Sequence, residues 1–479
     1  MTNISTIPVY LYNTLTRNKE LFRPLHPPRV GIYSCGPTVY KDIHIGNFRT
    51  FIMTDWLRRM LEYNGYDVLL VRNITDVGHL QNDTEESGED KLEYEARTTG
   101  RSAYEIADYY TRQYMRDAAE LNILPPQLNP KATDHIPEMQ VMTEKLIERG
   151  LAYVVDGNVY YDVSSFPFYG QLSGNTVENL QAGGSGRVQL EIAEDKEAPE
   201  DFALWKHGDE SRQMNWPSPW GIGFPGWHIE CSAMATKYLG EQFDIHTGGI
   251  DLIFPHHEDE IAQSEGVSGK PPVQYWVHGE FLNIGKGETT KMSRSKGNVI
   301  LVSTLKEAGI DPMAYRYLLL TAHYRSKLNF TDESITAAQN GLNNLRADIA
   351  SLPPVEASSL QEPWSEAAQQ VRDAFHMAIN DDLELPTALS ITREVARNNK
   401  IAPEERHRLI LDFDRVLGLR LDTVESKTPR ALSEEVLALV RERDAARAAR
   451  DWKRSDQLRD QLKALGFEVR DTAQGTELV

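Results

Sequence analysis

The sequence predicts an α/β protein: a parallel sheet covered by helices, interrupted by a mixed insertion, then a helical region and a small C-terminal unit. Three observations carry this expectation. Two short β-branched runs, RVGIYS and YDVLLV, flank a segment with apolar residues at helical spacing, and strand–helix–strand opens a parallel sheet. Runs of the same kind return near Phe243–Thr247 and Tyr275–Gly279 after a long stretch of mixed pattern. From about Ser334 onward the pattern is overwhelmingly helical, broken at SLPPVEASS and ESKTPR.

Composition limits what such a fold can do. At 479 residues there is room for about three domains. Hydrophobic residues at 40% and charged residues at 25% are ordinary for a soluble globular protein. Two cysteines exclude a disulfide framework, and point to metal or catalytic use in a reducing compartment, hence a cytoplasmic protein. The first twenty residues hold no long apolar run, and no apolar stretch is long enough to span a bilayer, so neither a secretory signal nor a membrane partner is expected. A formal charge of -20 excludes a uniformly basic coat, although a nucleic-acid partner needs only a local basic patch.

Each element follows from local pattern. Residues 1–30, with Pro8, Pro24, Pro27 and Pro28, read as an extended lead-in. RVGIYSCGPTVY is a strand that ends in a turn at Gly36 and Pro37. The helix after it places Phe51, Met53, Trp56, Leu57, Met60 and Leu61 on its apolar positions, and Gly65 stops it. YDVLLVRNIT reads as a strand buried on both faces, so a ligand belongs beyond the strand ends near Cys35, His44 and Thr75. Asp76–Asp90 reads as a solvated acidic loop, and no site is assigned to it. Ser102–Leu121 is helical and ILPPQLNP breaks it. The stretch from about 125 to 225 mixes a helix near Glu138–Arg149, strand-like LAYVVDGNVYYDV, a glycine-rich turn at AGGSGRV and aromatic NWPSPWGIGFPGW.

Four patterns carry chemistry. Within Gly226–Glu260, Cys231 is followed by His256 and Glu260, which stand four apart at the start of a helix and share one face. Cysteine, histidine and glutamate make a zinc-like donor set, and the only other thiol in the chain is Cys35. The alternative is two unrelated buried thiols and a solvated HHEDE face. His44-Ile45-Gly46-Asn47 lies where a strand gives way to a helix, whose first N–H groups and dipole favour phosphate. Lys291-Met292-Ser293-Arg294-Ser295-Lys296-Gly297-Asn298 sets three cations within six residues, an anion clamp or a solvated basic loop. Gly248-Gly249-Ile250-Asp251 is a turn that admits a flat ring and places a carboxylate, or else an ordinary glycine turn.

Taken in order, SCGPTVYKDIHIGN, VRNITD, GWHIECSAM, DIHTGGIDLIFPHHEDEIAQSE, KMSRSKGN and HYRSKLNF resemble the class I aminoacyl-tRNA synthetases, and specifically the cysteinyl-tRNA synthetase family. The likeness runs nearly end to end, and GWHIECSAM with FPHHEDE is its specific part. It implies a Rossmann-like catalytic domain in two halves, 1-125 and 226-290, around a connective insertion at 126-225. It further implies a signature loop and junction at 291-334, a helical bundle at 335-420 and an anticodon-binding domain at 430-479, in a chain that works as a monomer. Cys35, Cys231, His256 and Glu260 then hold one zinc per chain. His44, Gly46, Asn47, Gly248, Gly249, Lys291 and Arg294 meet ATP and its Mg²⁺, with His44, Asn47, Lys291 and Arg294 acting in catalysis. Thr75, Trp227 and Asp251 hold L-cysteine. Asn47 stands where the class often has His, and Arg294 where it more often has Lys; both keep a donor for phosphate.

The implied reaction has two steps: the cysteine carboxylate attacks the α-phosphate of ATP, and the ribose of tRNA(Cys) then takes the acyl group. Cysteine and serine differ by one atom, which pocket shape separates poorly, whereas a thiolate binds zinc and a hydroxyl does not. Discrimination of about 10⁴ corresponds to roughly 5.5 kcal/mol, within the range of a metal–sulfur bond. With four protein ligands, the substrate adds as a fifth or loosens one, Glu260 first. Arg443, Arg447, Arg450 and Arg454 recur at four, three and four residues, which predicts one basic helical stripe for a phosphate backbone, with Trp452 meeting bases. A helix laced with Arg–Asp pairs is the alternative. Two other functions share part of these motifs: a cysteine-dependent amino-sugar ligase of mycothiol biosynthesis, which has no need of the C-terminal domain, and a non-catalytic zinc-stabilised RNA-binding protein, which has no need of His44 and Lys291.

Overall fold

A computed structural model describes residues 4–77, 80–82, 87–176, 196–209, 211–285, 290–292, 299–355, 362–426, 434–464, 467, 469–472 and 475–478. The lead-in is not simply extended. Strands β1 (Tyr10–Asn13) and β2 (Asn18–Leu21) form an antiparallel hairpin, docked through Thr14 N–H to the Trp276 carbonyl at 2.8 Å.

The expected strand–helix–strand unit is β3 (Arg29–Ser34), α1 (Ile45–Tyr63) and β4 (Asp67–Arg72), with β3 and β4 parallel from Arg29↔Asp67 to Ser34↔Arg72. α1 buries Phe48, Phe51, Ile52, Met53, Trp56, Leu57, Met60 and Leu61. Each large side chain removed from water contributes about 1.5–3 kcal/mol, so this face fixes how the helix lies on the sheet. β4 corrects the expectation of burial on both faces: it is the sheet's edge strand, and Asp67 and Leu69 are exposed.

The acidic stretch is also corrected. It holds the short hairpin β5 (Leu80–Asn82) and β6 (Ser87–Asp90), and both Asp76 and Asp90 are buried. Asp76 accepts the Thr133 N–H at 2.9 Å and its hydroxyl at 2.7 Å. Asp90 caps α2 (Lys91–Thr99) and pairs with Arg212 at 2.7 Å. Donors and a cation replace water, which is what a buried carboxylate requires. α3 (Ala103–Glu120), capped by Ser102, and α4 (Ile136–Glu148) follow as expected.

The insertion is an antiparallel sheet of β7 (Ala152–Val155), β8 (Asn158–Tyr161), β9 (Phe202–His207), β10 (Trp216–Ser218) and β11 (Gly221–Pro225), in the order β10-β11-β9-β8-β7. The turn AGGSGRV lies outside the described residues. The main sheet resumes with α5 (Trp227–Leu239), β12 (Phe243–Gly249), α6 (Glu258–Ser268) and β13 (Val273–Gly279). Its order is β13-β12-β3-β4, all parallel, so Cys35, Thr75, Gly249 and Gly279 gather at one end.

Beyond the sheet, β14 (Leu282–Ile284), β15 (Thr290–Lys291) and β16 (Leu328–Phe330) make a small mixed sheet, with α7 (Val302–Glu307) and α8 (Pro312–Leu320) between β15 and β16 in the chain. The helices α9 (Asp332–Ala350), α10 (Glu366–Asn380), α11 (Leu385–Ala396) and α12 (Pro403–Leu417) form the expected bundle region. Arg316 of α8 is fully buried, 2.5 Å from Asp55 of α1, and donates to the Leu417 carbonyl at 2.8 Å. That one guanidinium joins the main sheet's first helix to the bundle.

The C-terminal unit is α13 (Glu434–Ala448), α14 (Trp452–Ala464) and the hairpin β17 (Val469–Thr472) and β18 (Gly475–Leu478), a strand pair that the helical expectation missed. The single arginine stripe is corrected here. Arg450 has φ +58° between two helices, Arg443 is buried and donates to Thr476, and Arg454 pairs with Glu442 at 2.6 Å. Trp452 is exposed. No helix among the described residues is long and apolar enough to cross a membrane.

Candidate active site and metal centre

Four elements bring their ends to one point. Cys35 follows β3, Cys231 lies in α5, His256 sits in the turn before α6 and Glu260 in that helix's first turn. Their ligand atoms all lie within 4.8 Å of one another, and all four residues are buried. The two thiols are 3.9 Å apart, Cys35 Sγ is 3.7 Å from Glu260 Oε1, and His256 Nε2 is 3.1 Å from the same oxygen. The i,i+4 spacing therefore does what the sequence implied.

Their surroundings orient them as metal ligands are oriented. The second Glu260 oxygen is 2.9 Å from His246 Nε2. His256 Nδ1 is 2.9 Å from His228 Nδ1, and His228 Nε2 faces the Asp259 carboxylate at 3.4 Å. A second overlapping group, Cys35, His246, His257 and Glu260, also converges. In it His257 Nε2 lies 3.3 Å from Cys35 Sγ and His246 is engaged with Glu260 Oε2; with two thiols in place of one, the first set is the softer donor set for a transition metal.

Charges within the cluster alternate. The hydrogen bond from Cys35 holds the Cys231 thiol down to about 6, with His256 helping against burial. Burial and the Cys231 interaction push Cys35 well up. Burial opposes charge on His256, but Cys231 and Glu260 outweigh it and hold the imidazole up at about 10. Burial would raise Glu260, yet His246 and His256 hold it down to about 2. Burial and the neighbouring histidines push His257 far down, and His278 down to about 3. Cys231 and Glu260 are thus in the deprotonated form that a metal takes, while Cys35 and His256 would each give up a proton on binding one.

The pattern expected to meet phosphate lies at the same end of the sheet. His44 is the N-cap of α1; its Nδ1 accepts the Asn47 N–H at 3.3 Å, which places the ring proton on Nε2. Ile45 N–H donates to the Ile300 carbonyl at 2.9 Å, and His44 bridges to Leu301. Gly46 backs onto Met292: a Cβ there would lie 3.6 Å from the Met292 Cβ. The structure therefore seats the segments on both sides of residues 293–298 against His44–Gly46, although Ser293–Asn298, Arg294 included, lie outside the described residues. Lys291 ends β15.

The remaining expected residues are spread around this end. Thr75 is buried and accepts the Asn73 amide at 3.1 Å. Trp227 is half-buried with its ring 4.3 Å from that of His256. Asp251 is exposed on the turn after Gly249. Gly248 is where the His257 imidazole crosses the strand: a Cβ there would meet His257 Cε1 at 2.5 Å. Sequence reasoning missed His228, His246, His257 and His278. The signal was present, since His246 and His278 end two expected strands and His257 adjoins His256.

A parallel sheet with a buried cluster of cysteine, histidine and glutamate at one end is the frame of a class I aminoacyl-tRNA synthetase, which the comparisons show. The family model of the class I (C) tRNA synthetase catalytic domain matches residues 21–340, and that of the cysteinyl-tRNA ligase anticodon binding domain matches residues 430–477. The chain is 46% identical to cysteine–tRNA ligase 1 of Burkholderia lata, covering 98% of this chain and 97% of that one. It is 43% identical to cysteine–tRNA ligase of Thermus thermophilus, covering 97% and 98%. Solved structures share the fold at low identity. A ternary complex of an Agrobacterium radiobacter LeuRS with tRNA and LeuAMS matches with TM-score 0.56 and 13% identity, over 84% of this chain and 85% of that one. Methionyl-tRNA synthetase of Mycobacterium tuberculosis with methionyl-adenylate matches with TM-score 0.50 and 13% identity, over 82% and 90%. This chain belongs to the cysteine–tRNA ligase family.

Proposed function

We propose that the chain activates L-cysteine with ATP and transfers it to the 3′-terminal ribose of tRNA(Cys), with zinc held by Cys35, Cys231, His256 and Glu260. The observation that carries this reading is the two-thiol cluster at the sheet end, beside the N-terminus of α1. Zinc, when bound there, supplies a soft Lewis acid that accepts the substrate thiol and not the hydroxyl of serine. His44 Nε2–H and the first turn of α1 meet the α-phosphate, with Asn47 beside them. Lys291 and Arg294 draw the leaving pyrophosphate, which arrives with its Mg²⁺, while Gly248 and Gly249 border the ATP site. Thr75, Trp227 and Asp251 hold the amino acid so that its carboxylate faces that phosphate.

The match of residues 430–477 to an anticodon binding domain favours tRNA over a small amino-sugar acceptor. The test is ATP–pyrophosphate exchange with cysteine and with serine, followed by charging of tRNA(Cys). Cysteine-dependent exchange and charging are expected. Exchange driven equally by serine, or charging of an amino sugar in place of tRNA, would refute the reading.

A further inference from the structure

Arg49 lies one turn into α1, three residues after Gly46, and is buried. Among the described residues its hydrogen-bond acceptors are all backbone carbonyls. Nη1 donates to Phe281, and Nη2 donates to Ser326 and, at 3.5 Å, to Tyr324. A buried guanidinium is ordinarily set against a carboxylate, as Arg316 is against Asp55. Here the dipoles of two chain segments carry the charge instead, so the planar fork ties those segments together.

Both segments lead into strands. Phe281 immediately precedes β14, and Ser326 stands two residues before β16. The two strands run parallel from Leu282↔Leu328 to Ile284↔Phe330, and the Glu280 N–H donates to the Tyr324 carbonyl at 2.9 Å. β15 pairs with the other edge of β14, Asn283 opposite Lys291, so the backbone of Lys291 takes its place from β14. Tyr324–Ser326 is itself anchored. The Tyr324 hydroxyl and Arg325 both donate to Asp382, between α10 and α11, at 2.6 and 2.8 Å. HYRSKLNF is thus one jaw of a clamp and the start of β16.

The other jaw is α1. Gly46, on the same helical face as Arg49, backs onto Met292, and Ile45 meets the Ile300 carbonyl and the Tyr315 hydroxyl. One face of α1 therefore carries the turn proposed to meet phosphate and, one turn along, the grip on the sheet that bears Lys291.

We propose that Arg49 is a positioning residue for adenylate formation, acting through Lys291 by fixing β14–β16 against the N-terminal turn of α1. Its donors are taken up by the three carbonyls, so it reaches the chemistry only through what it holds. Lysine at this position keeps the charge but offers a single nitrogen, which cannot bridge both strand starts. A misplacement of about 1 Å between reacting groups costs about a hundredfold in rate. This inference rests on the reading that the chain activates cysteine with ATP and that Lys291 draws pyrophosphate.

The test is a double-mutant cycle on the zinc-loaded full-length enzyme: wild type, Arg49→Lys, Lys291→Ala and the double variant. Each is read by single-turnover adenylate formation at saturating ATP and cysteine. Arg49→Lys is expected to slow this step about ten- to a hundredfold, but less than about twofold where Lys291 is already alanine. Transfer of cysteine from preformed adenylate to tRNA(Cys), which releases no pyrophosphate, should change by less than about twofold. Equal slowing in both backgrounds, equal slowing of both steps, or an unaltered rate in Arg49→Lys overturns the proposal. The first two are what a merely structural arginine gives. Should Arg49→Lys not fold, Arg49→Gln goes through the same cycle, with the same split expected and the same results overturning it. Lys291→Ala at the wild-type rate, or wild type without cysteine-dependent exchange, would instead refute the underlying reading.

Discussion

His246 and Glu260 meet at 2.9 Å, strand against helix, on the carboxylate oxygen that points away from the two thiols. The same carboxylate offers its other oxygen to His256 at 3.1 Å. His246 thus holds Glu260 in the orientation that the proposed metal needs without being one of the four ligands.

His246→Phe tests this. Phenylalanine keeps an aromatic ring against Trp276, whose ring stacks 4.7 Å away, and removes the hydrogen bond. Zinc should still bind at one equivalent under excess metal, but about ten- to a hundredfold more weakly in chelator competition. Cys231→Ala should retain little zinc under any condition. Wild-type affinity in His246→Phe would show that Glu260 needs no support.

The pair Arg316–Asp55 makes a prediction about stability. Burial raises the Asp55 carboxyl, but Arg316 and Arg59 outweigh it and hold it below the ordinary carboxylate range. A depressed carboxyl contributes stability that is complete above its unfolded value and is lost as pH falls through the folded value. Arg316→Met leaves a buried carboxylate short of its partner and should destabilise by about 3–5 kcal/mol near neutral pH in urea unfolding. The gap from wild type should narrow as pH falls below about 4. A gap that stays constant over this range would show that the charge pair is not its source.

How much of the fold is legible in the sequence follows from range. The strand–helix–strand unit and the His256–Glu260 face are local patterns, set by periods of two and 3.6 residues, and the structure reproduces both. β4 reads as buried because DVLLVR is apolar, but edge position depends on which strand pairs with which, and no short window contains that. Asp76 and Asp90 read as solvated because their partners, Thr133 and Arg212, are far along the chain. The arginine stripe fails for the opposite reason. Its spacing is helical, but a left-handed residue at Arg450 splits the helix, and the hairpin β17–β18 packs over Arg443.

Arg294 is tested through the loop's anchors. Lys291 ends β15, and Ile300 receives the first N–H of α1, so the intervening segment begins and ends beside the proposed phosphate site. If Arg294 draws pyrophosphate, Arg294→Ala should slow single-turnover adenylate formation about ten- to a hundredfold, the worth of one charge-assisted contact of about 1.5–3 kcal/mol. Cysteine affinity and zinc content should not change, and Arg294→Lys should recover much of the rate. An unaltered rate in Arg294→Ala would assign Arg294 to solvent.

The C-terminal unit should be separable from activation. The residues proposed to hold metal, amino acid and ATP all precede Ser295, so removal of residues from 430 onward should leave cysteine-dependent exchange largely intact and sharply reduce charging. Within the unit, Arg443 and Arg447 should differ although their spacing reads as one stripe. Arg443 donates to Thr476, whose N–H and hydroxyl are accepted by Asp444 at 2.9 and 2.6 Å. That network clips the hairpin to α13, so Arg443→Ala should open the unit to proteolysis and lower charging together. Arg447→Ala should leave proteolysis unchanged, and if its charge meets phosphate, it should raise KM for tRNA and flatten its salt dependence by about one unit of slope. Equal protease resistance in both variants, with equal losses of charging, would return Arg443 to the RNA-binding surface from which the structure removes it.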